Sequence, residues 1–137
     1  MRKILFVAVL LASVAVSAQG IQGQPTGRQV LTPTSILAAG DMSLASLTSS
    51  IISIQRIDNV AVQLTWTGNA VGTFAVQVSN DQSGWSALDT SGAPSISGTA
   101  GTIMLDLNLT SAPYLRVVYT RTSGTGALTV IVSGKGI

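Results

Sequence analysis

Large apolar side chains recur at every second position through most of the chain beyond residue 50. Val60, Val62, Leu64 and Trp66 alternate with Ala61, Gln63, Thr65 and Thr67, and a period of two places the four large groups on one face of a strand. The same pattern returns at Ile52 and Ile54, at Phe74, Val76 and Val78, at Ile103, Leu105 and Leu107, at Leu115, Val117 and Tyr119, and at Leu128, Val130 and Val132. Turn chemistry separates these runs. Gly68-Asn69-Ala70-Val71-Gly72 ends one strand, Asn80-Asp81-Gln82-Ser83-Gly84 follows the next, residues 92–101 form a small-residue loop, and Ser123-Gly124-Thr125-Gly126 reads as a hairpin turn. Pro113 has no N–H to give a ladder, so it belongs just before a strand over residues 114–121. Six or so short strands joined by glycine-rich connections predict an all-β protein, an antiparallel β-sandwich or jelly roll. Beyond the N-terminus no segment carries a helical stripe, although residues 36–47 suit one turn or a strand.

The start of the chain is different in kind. Met1-Arg2-Lys3, the apolar residues 4–16 and then Val16-Ser17-Ala18 have the three parts of a secretory signal, with cleavage expected after Ala18. The apolar run is short beside the roughly 20 residues that span a bilayer. The other reading is an uncleaved hydrophobic arm that anchors the chain to a partner. Gly20, Gly23, Pro25, Gly27 and Pro33 follow with few large apolar residues between them, the mark of an extended arm or linker. The expected organisation is therefore a signal-like segment over 1–18, an arm over 19–40 and a sandwich domain over 41–137.

Charge removes one class of partner. The net charge is +2, but Arg2 and Lys3 supply the excess, and beyond them five basic residues balance five aspartates. Without a basic patch the sequence gives no reason to expect a nucleic-acid partner. Charged residues make up only 9% of the chain, so neighbouring copies repel weakly and self-association into a homo-oligomer is expected.

Candidate chemistry is thin. The chain has no cysteine, no histidine and no glutamate, which removes disulfides, thiolate metal sites and Ser-His or Cys-His arrangements together. A nucleophilic hydroxyl would need Lys135 or an aspartate as its base, and Lys135 stands two residues from the C-terminus, a poor place for a buried amine. No two aspartates are close enough in sequence to suggest a glycosidase pair. Asn80-Asp81 and Asp58-Asn59 offer hard oxygen ligands, but isolated pairs of this kind serve more often as turn caps than as calcium ligands. Asn108-Leu109-Thr110 matches a glycosylation sequon that chance explains in a chain so rich in Ser and Thr. The expectation is a protein without enzymatic activity, cofactor or metal.

Binding residues are easier to nominate. Trp66 and Tyr119 are in phase with apolar neighbours and belong to the core. Trp85 after a polar turn and Tyr114 at a strand start are the aromatics expected at the surface, where they could stack on a sugar. Arg116 and Arg121 read as lying on the face opposite Leu115 and Val117, as a partner contact or a solvated row.

From residue 59 onward the order of motifs resembles small virion structural proteins of tailed bacteriophages. The likeness is carried by Val62-Gln63-Leu64-Thr65-Trp66-Thr67-Gly68, the run Val71-Gly72-Thr73-Phe74-Ala75-Val76-Gln77-Val78-Ser79-Asn80-Asp81, then Trp85 and Leu105-Asp106-Leu107. Its most specific part is Ala112-Pro113-Tyr114-Leu115-Arg116-Val117-Val118-Tyr119-Thr120-Arg121-Thr122-Ser123-Gly124-Thr125-Gly126, closing with Ser133-Gly134-Lys135-Gly136-Ile137. The resemblance implies a β-sandwich that decorates a capsid or builds a fibre or tail part, with other virion proteins as partners and no catalytic residues. The Ser-Asn-Asp turn before a tryptophan also looks like discoidin-type glycan-binding sandwiches. The export-like start departs from the phage pattern, since such particles assemble in the cytoplasm. The two expected localisations are thus the virion, with the start kept as an arm, and the extracellular space, after cleavage at Ala18.

Overall fold

The computed structural model describes residues 28–90, 95–108 and 111–136; the signal-like segment and its cleavage position lie outside them. The alternating runs become strands: β1 (Val30–Asp41), β2 (Ser46–Thr48), β3 (Ile52–Ser53), β4 (Asn59–Trp66), β5 (Val71–Ser79), β6 (Ser86–Ala87), β7 (Ile96–Ser97), β8 (Gly101–Asn108), β9 (Tyr114–Ser123) and β10 (Ala127–Lys135). They form two antiparallel sheets. One has the order β1-β10-β4-β8; in the other β9 and β5 lie side by side, flanked by β2 and β3 on one side and by β6 and β7 on the other. All-β architecture and a two-sheet sandwich are as the alternation predicts.

The centre of the four-stranded sheet is uninterrupted. β4 runs in unbroken register with β10 from Trp66 opposite Leu128 to Asn59 opposite Lys135, and with β8 from Trp66 opposite Gly101 to Asn59 opposite Asn108. One parity therefore faces inward throughout. Val60, Val62, Leu64, Trp66, Leu128, Val130, Val132 and Ile103 meet Val76, Leu115, Val117 and Tyr119 of the facing sheet, and all of them are buried. Each buried side chain of this size contributes about 1.5–3 kcal/mol of transfer free energy. The polar tips are satisfied at the core's rim: Trp66 Nε1 donates to the Thr99 carbonyl at 2.6 Å and Tyr119 Oη to the Val71 carbonyl at 3.2 Å. Burial pushes the Tyr119 phenol above its ordinary pKa, and the nearby Arg121 opposes the shift.

Ser49 links β2 and β3 against β9. Its N–H donates to the Val117 carbonyl and its Oγ accepts from the Val117 N–H, both at 2.9 Å, so a side chain stands in for the ladder where the edge strand is interrupted.

Two expectations require correction. The arm expected over 19–40 does not extend through residues 30–40, because β1 starts at Val30 and pairs with β10 up to Asp41. Register shifts between Leu31 and Thr34, Ser35 and Leu37, and Leu37 and Gly40 destroy strict alternation, which is why a period-two reading passes over this strand. The Ser123-Gly124-Thr125-Gly126 turn is not a hairpin, because β9 and β10 belong to different sheets. It crosses between layers beside the similar crossing from β4 to β5: Asn69 N–H donates to the Thr125 carbonyl at 2.9 Å, and Thr125 N–H to Asn69 Oδ1 at 3.0 Å. Gly124 has φ +72°, and a Cβ there would run into the Asn69 carbonyl. A short glycine turn can serve either connection, so its sequence does not distinguish them.

Candidate interaction surfaces

Strand register decides which of the nominated residues meet. Ser79 lies opposite Tyr114 and Gln77 opposite Arg116 on the β5–β9 pair, while Gln77 lies opposite Ala87 on the β5–β6 pair. Tyr114 and Arg116 therefore share the outer face of the six-stranded sheet with Gln77 and Ser79. Trp85, just before β6, reaches the same face. The Arg116 guanidinium sits 4.1 Å from the centroid of the Trp85 ring, and Arg116 Nε donates to Gln77 Oε1 at 2.9 Å. This stack covers one face of the indole, and Trp85 Nε1 is spent on the Gln82 carbonyl at 3.1 Å. What remains for a ligand is the other ring face and the adjacent hollow of about 490 Å³, lined by Ser79, Asn80, Asp81, Gly84, Trp85 and Ala112 among others.

Beside this stack the Asn-Asp turn has a defined job. Asp81 Oδ1 accepts from the N–H groups of Ser83 and Gly84 at 2.8 and 2.9 Å, and lies 3.1 Å from Ser79 Oγ. These hydrogen bonds, that from Gly84 foremost, hold the Asp81 carboxyl below its ordinary pKa. Ser79 Oγ in turn accepts from the Gln82 N–H at 2.9 Å, and Gln82 takes a positive φ of 62°. The carboxylate is a turn cap that fixes where Trp85 leaves the loop.

Arg121 does not join the group. It lies opposite Gly72, in phase with Tyr119 rather than with Arg116, because the two arginines are five positions apart and an odd spacing changes face. It is exposed at the strand end, and its Nε donates to the Gly124 carbonyl at 2.9 Å, so it braces the crossing turn. Trp85, Tyr114 and Arg116 thus form one patch, and Arg121 stands outside it.

No family model matches the chain, and no curated protein does. Function must therefore be argued from the surfaces themselves.

The second surface was not anticipated. On the outer face of the four-stranded sheet, register forms cross-strand rows such as Ile131–Gln63–Met104, Thr129–Thr65–Thr102 and Ser133–Ala61–Asp106. Among the described residues the strands of this face bear Asp41, Asp106 and Lys135 as charged side chains, and large apolar groups stand free on it, Met104 at 56% and Val30 at 63% exposure. A groove of about 430 Å³ near one end is lined by Val30, Leu31, Pro33, Ala61, Ser133 and Lys135 among others. The signal was in the alternation. Met104 occupies the polar phase of β8, between Thr102 and Asp106, where a solvated strand places a polar residue.

Proposed function

We propose that the chain is a non-enzymatic structural subunit of a virion, a capsid-decoration or fibre- or tail-associated protein that self-associates and packs on a shell. The observation that carries the reading is the strand order. With β2 and β3 taken as one interrupted strand, and β6 and β7 as another, two four-stranded layers remain. Successive strands then change layer at every step except from β5 to β6 and β7, which stay in one sheet, an order that supports reading the sandwich as a jelly roll, an architecture common in capsid and lectin domains. Since a fold does not fix a function, the virion assignment leans on the motif resemblance above and on the chemistry of the surfaces. Those surfaces are broad, hydroxyl-rich and nearly uncharged, suited to lying against another protein.

Density-purified particles provide the test. Peptides of this chain are expected in stoichiometric amounts with the shell protein, and sedimentation of the full chain is expected to show a defined oligomer. A chain absent from particles would remove the proposal.

One observation favours a second reading, an exported glycan-binding or adhesive module. Trp85 and Ser79 line one hollow, Tyr114 lies opposite Ser79 on the same sheet face, and one side of the indole is left for a sugar ring. A glycan array separates the two: retained binding by the native chain that Trp85→Ala abolishes would favour the second, and its absence the first.

A further inference from the structure

An edge strand offers a row of unpaired N–H and C=O groups, and proteins blunt such rows with short strands, prolines, bulges or charges unless a partner covers them. Three of the four edges here are blunted. β2 and β3 are three and two residues long, and β6 and β7 two each. β1 carries Pro33 and three register shifts. The fourth is β8. It runs for eight residues without proline and without a shift against β4, and among the described residues it pairs with β4 alone.

The side chains of β8 also point to a partner. Leu105 and Leu107 pack against the core but are only half-buried, and Met104 stands exposed on the other face. Apolar surface therefore continues around this edge from the interior to the outside. The strand bears a single charge, Asp106.

We propose that β8 is the assembly edge of this protein: two copies join antiparallel through Gly101–Asn108, merging their four-stranded sheets into one. This deepens the assembly reading above and rests on it. Backbone pairing between two antiparallel copies of one strand is self-complementary under a two-fold axis. Matching inner face to inner face restricts the register to an axis through a single residue, since a one-residue slip reverses every side chain. An axis at Asp106 would set two carboxylates opposite each other. One at Leu105 would press Asp106 against the partner's Met104, and one at Ile103 would shorten the overlap. With the axis at Met104 the two thioethers meet, Asp106 faces the hydroxyl of the partner's Thr102, and Ile103 faces the partner's Leu105. This register leaves no like charges opposed and covers the apolar edge.

The chain has no cysteine of its own, so one can be placed at the axis. Directly opposed Cβ atoms of an antiparallel pair lie about 4.5–5.5 Å apart, near the spacing that a disulfide bridges. In the full chain, Met104→Cys is expected to form a disulfide-linked dimer under mild oxidation on the order of tenfold faster than Gln63→Cys, whose site lies in the same row one strand further in. Met104→Lys, at an exposed position, is expected to keep the unfolding midpoint while weakening the oligomer by roughly tenfold or more in sedimentation. A wild-type chain that stays monomeric at every concentration would overturn both the assembly reading and this edge. An oligomer that Met104→Lys leaves intact, and that links no faster at 104 than at 63, would overturn the edge alone.

Discussion

β1 and β8 close the two ends of the same sheet, and the chain has built them by opposite rules. β1 is twelve residues long and irregular. Thr34 Oγ1 donates to the Thr32 carbonyl and Ser35 Oγ to the Leu37 carbonyl, at 2.9 and 3.2 Å, and Ala39 takes a positive φ of 48°. Such local side-chain bonds and bulges leave no flat row for another strand to join. β8 is shorter, flat in register and apolar at its middle. Regularity at an edge is therefore the informative feature, because water rewards irregularity there and only a partner rewards straightness.

The comparison presupposes a common centre, and it can be broken there first. Leu64 is fully buried on β4, between β10 and β8. Leu64→Ala is expected to cost about 2–5 kcal/mol, read as a lower denaturant midpoint, with β1 and β8 losing amide protection together. Retained protection in either edge would show that it does not depend on the central pair.

A smaller effect belongs to the facing sheet. Tyr119→Phe removes the hydrogen bond to Val71 and is expected to cost about 0.5–1.5 kcal/mol. Because the folded phenol has a raised pKa, the folded state holds that proton more tightly than the unfolded chain. The associated stability is fully present below pH 10.0 and is lost as pH rises through the folded value. The alkaline decline should shrink in Tyr119→Phe, and an unchanged alkaline profile would exclude Tyr119 as its source.

The acid side tests the turn that carries Trp85. Asp81 has a lowered pKa, so its contribution is present above the unfolded value of 3.8 and is lost as pH falls through the lower folded value. Asp41, held down by Ser43, adds in the same direction. Asp81→Asn should flatten the acid limb in part, by a small amount because the group is exposed. A limb as steep as in the wild type would mean that the cap is not energetically coupled to folding.

Smallest of all, Pro33→Thr removes one of the devices that blunt β1. Stability is expected to stay within about 0.5 kcal/mol, and no new association should appear in sedimentation, since the register shifts remain. New oligomers through β1 would show that the proline, rather than the bulges, guards that edge.

Much of this fold was legible because burial on one side of a strand leaves a two-residue period. Val60 to Trp66 in steps of two, Leu115, Val117 and Tyr119, and Leu128, Val130 and Val132 all read inward from sequence and all are buried. β1 was illegible for the same reason in reverse, as its bulges erase the period. The Ser123–Gly126 crossing is not legible as a layer change, because glycine turns fit a hairpin and a layer change equally. For the surfaces, Trp85, Tyr114 and Arg116 were found singly, but their stacking depends on a register that no local pattern contains. The expectation that Arg121 shares a face with Arg116 fails because the two stand an odd five positions apart on β9. Met104 was visible as an apolar residue in a polar phase, a signal that acquires meaning only once β8 is known to be an edge.

Concentration-dependent hydrogen exchange across the full chain tests that meaning most directly. Backbone amides of Gly101–Asn108 are expected to become slower as protein concentration rises, while those of β1 and of Tyr114–Ser123 stay constant. Added protection confined to β1 or to the Trp85 patch, or no change anywhere, would contradict the account.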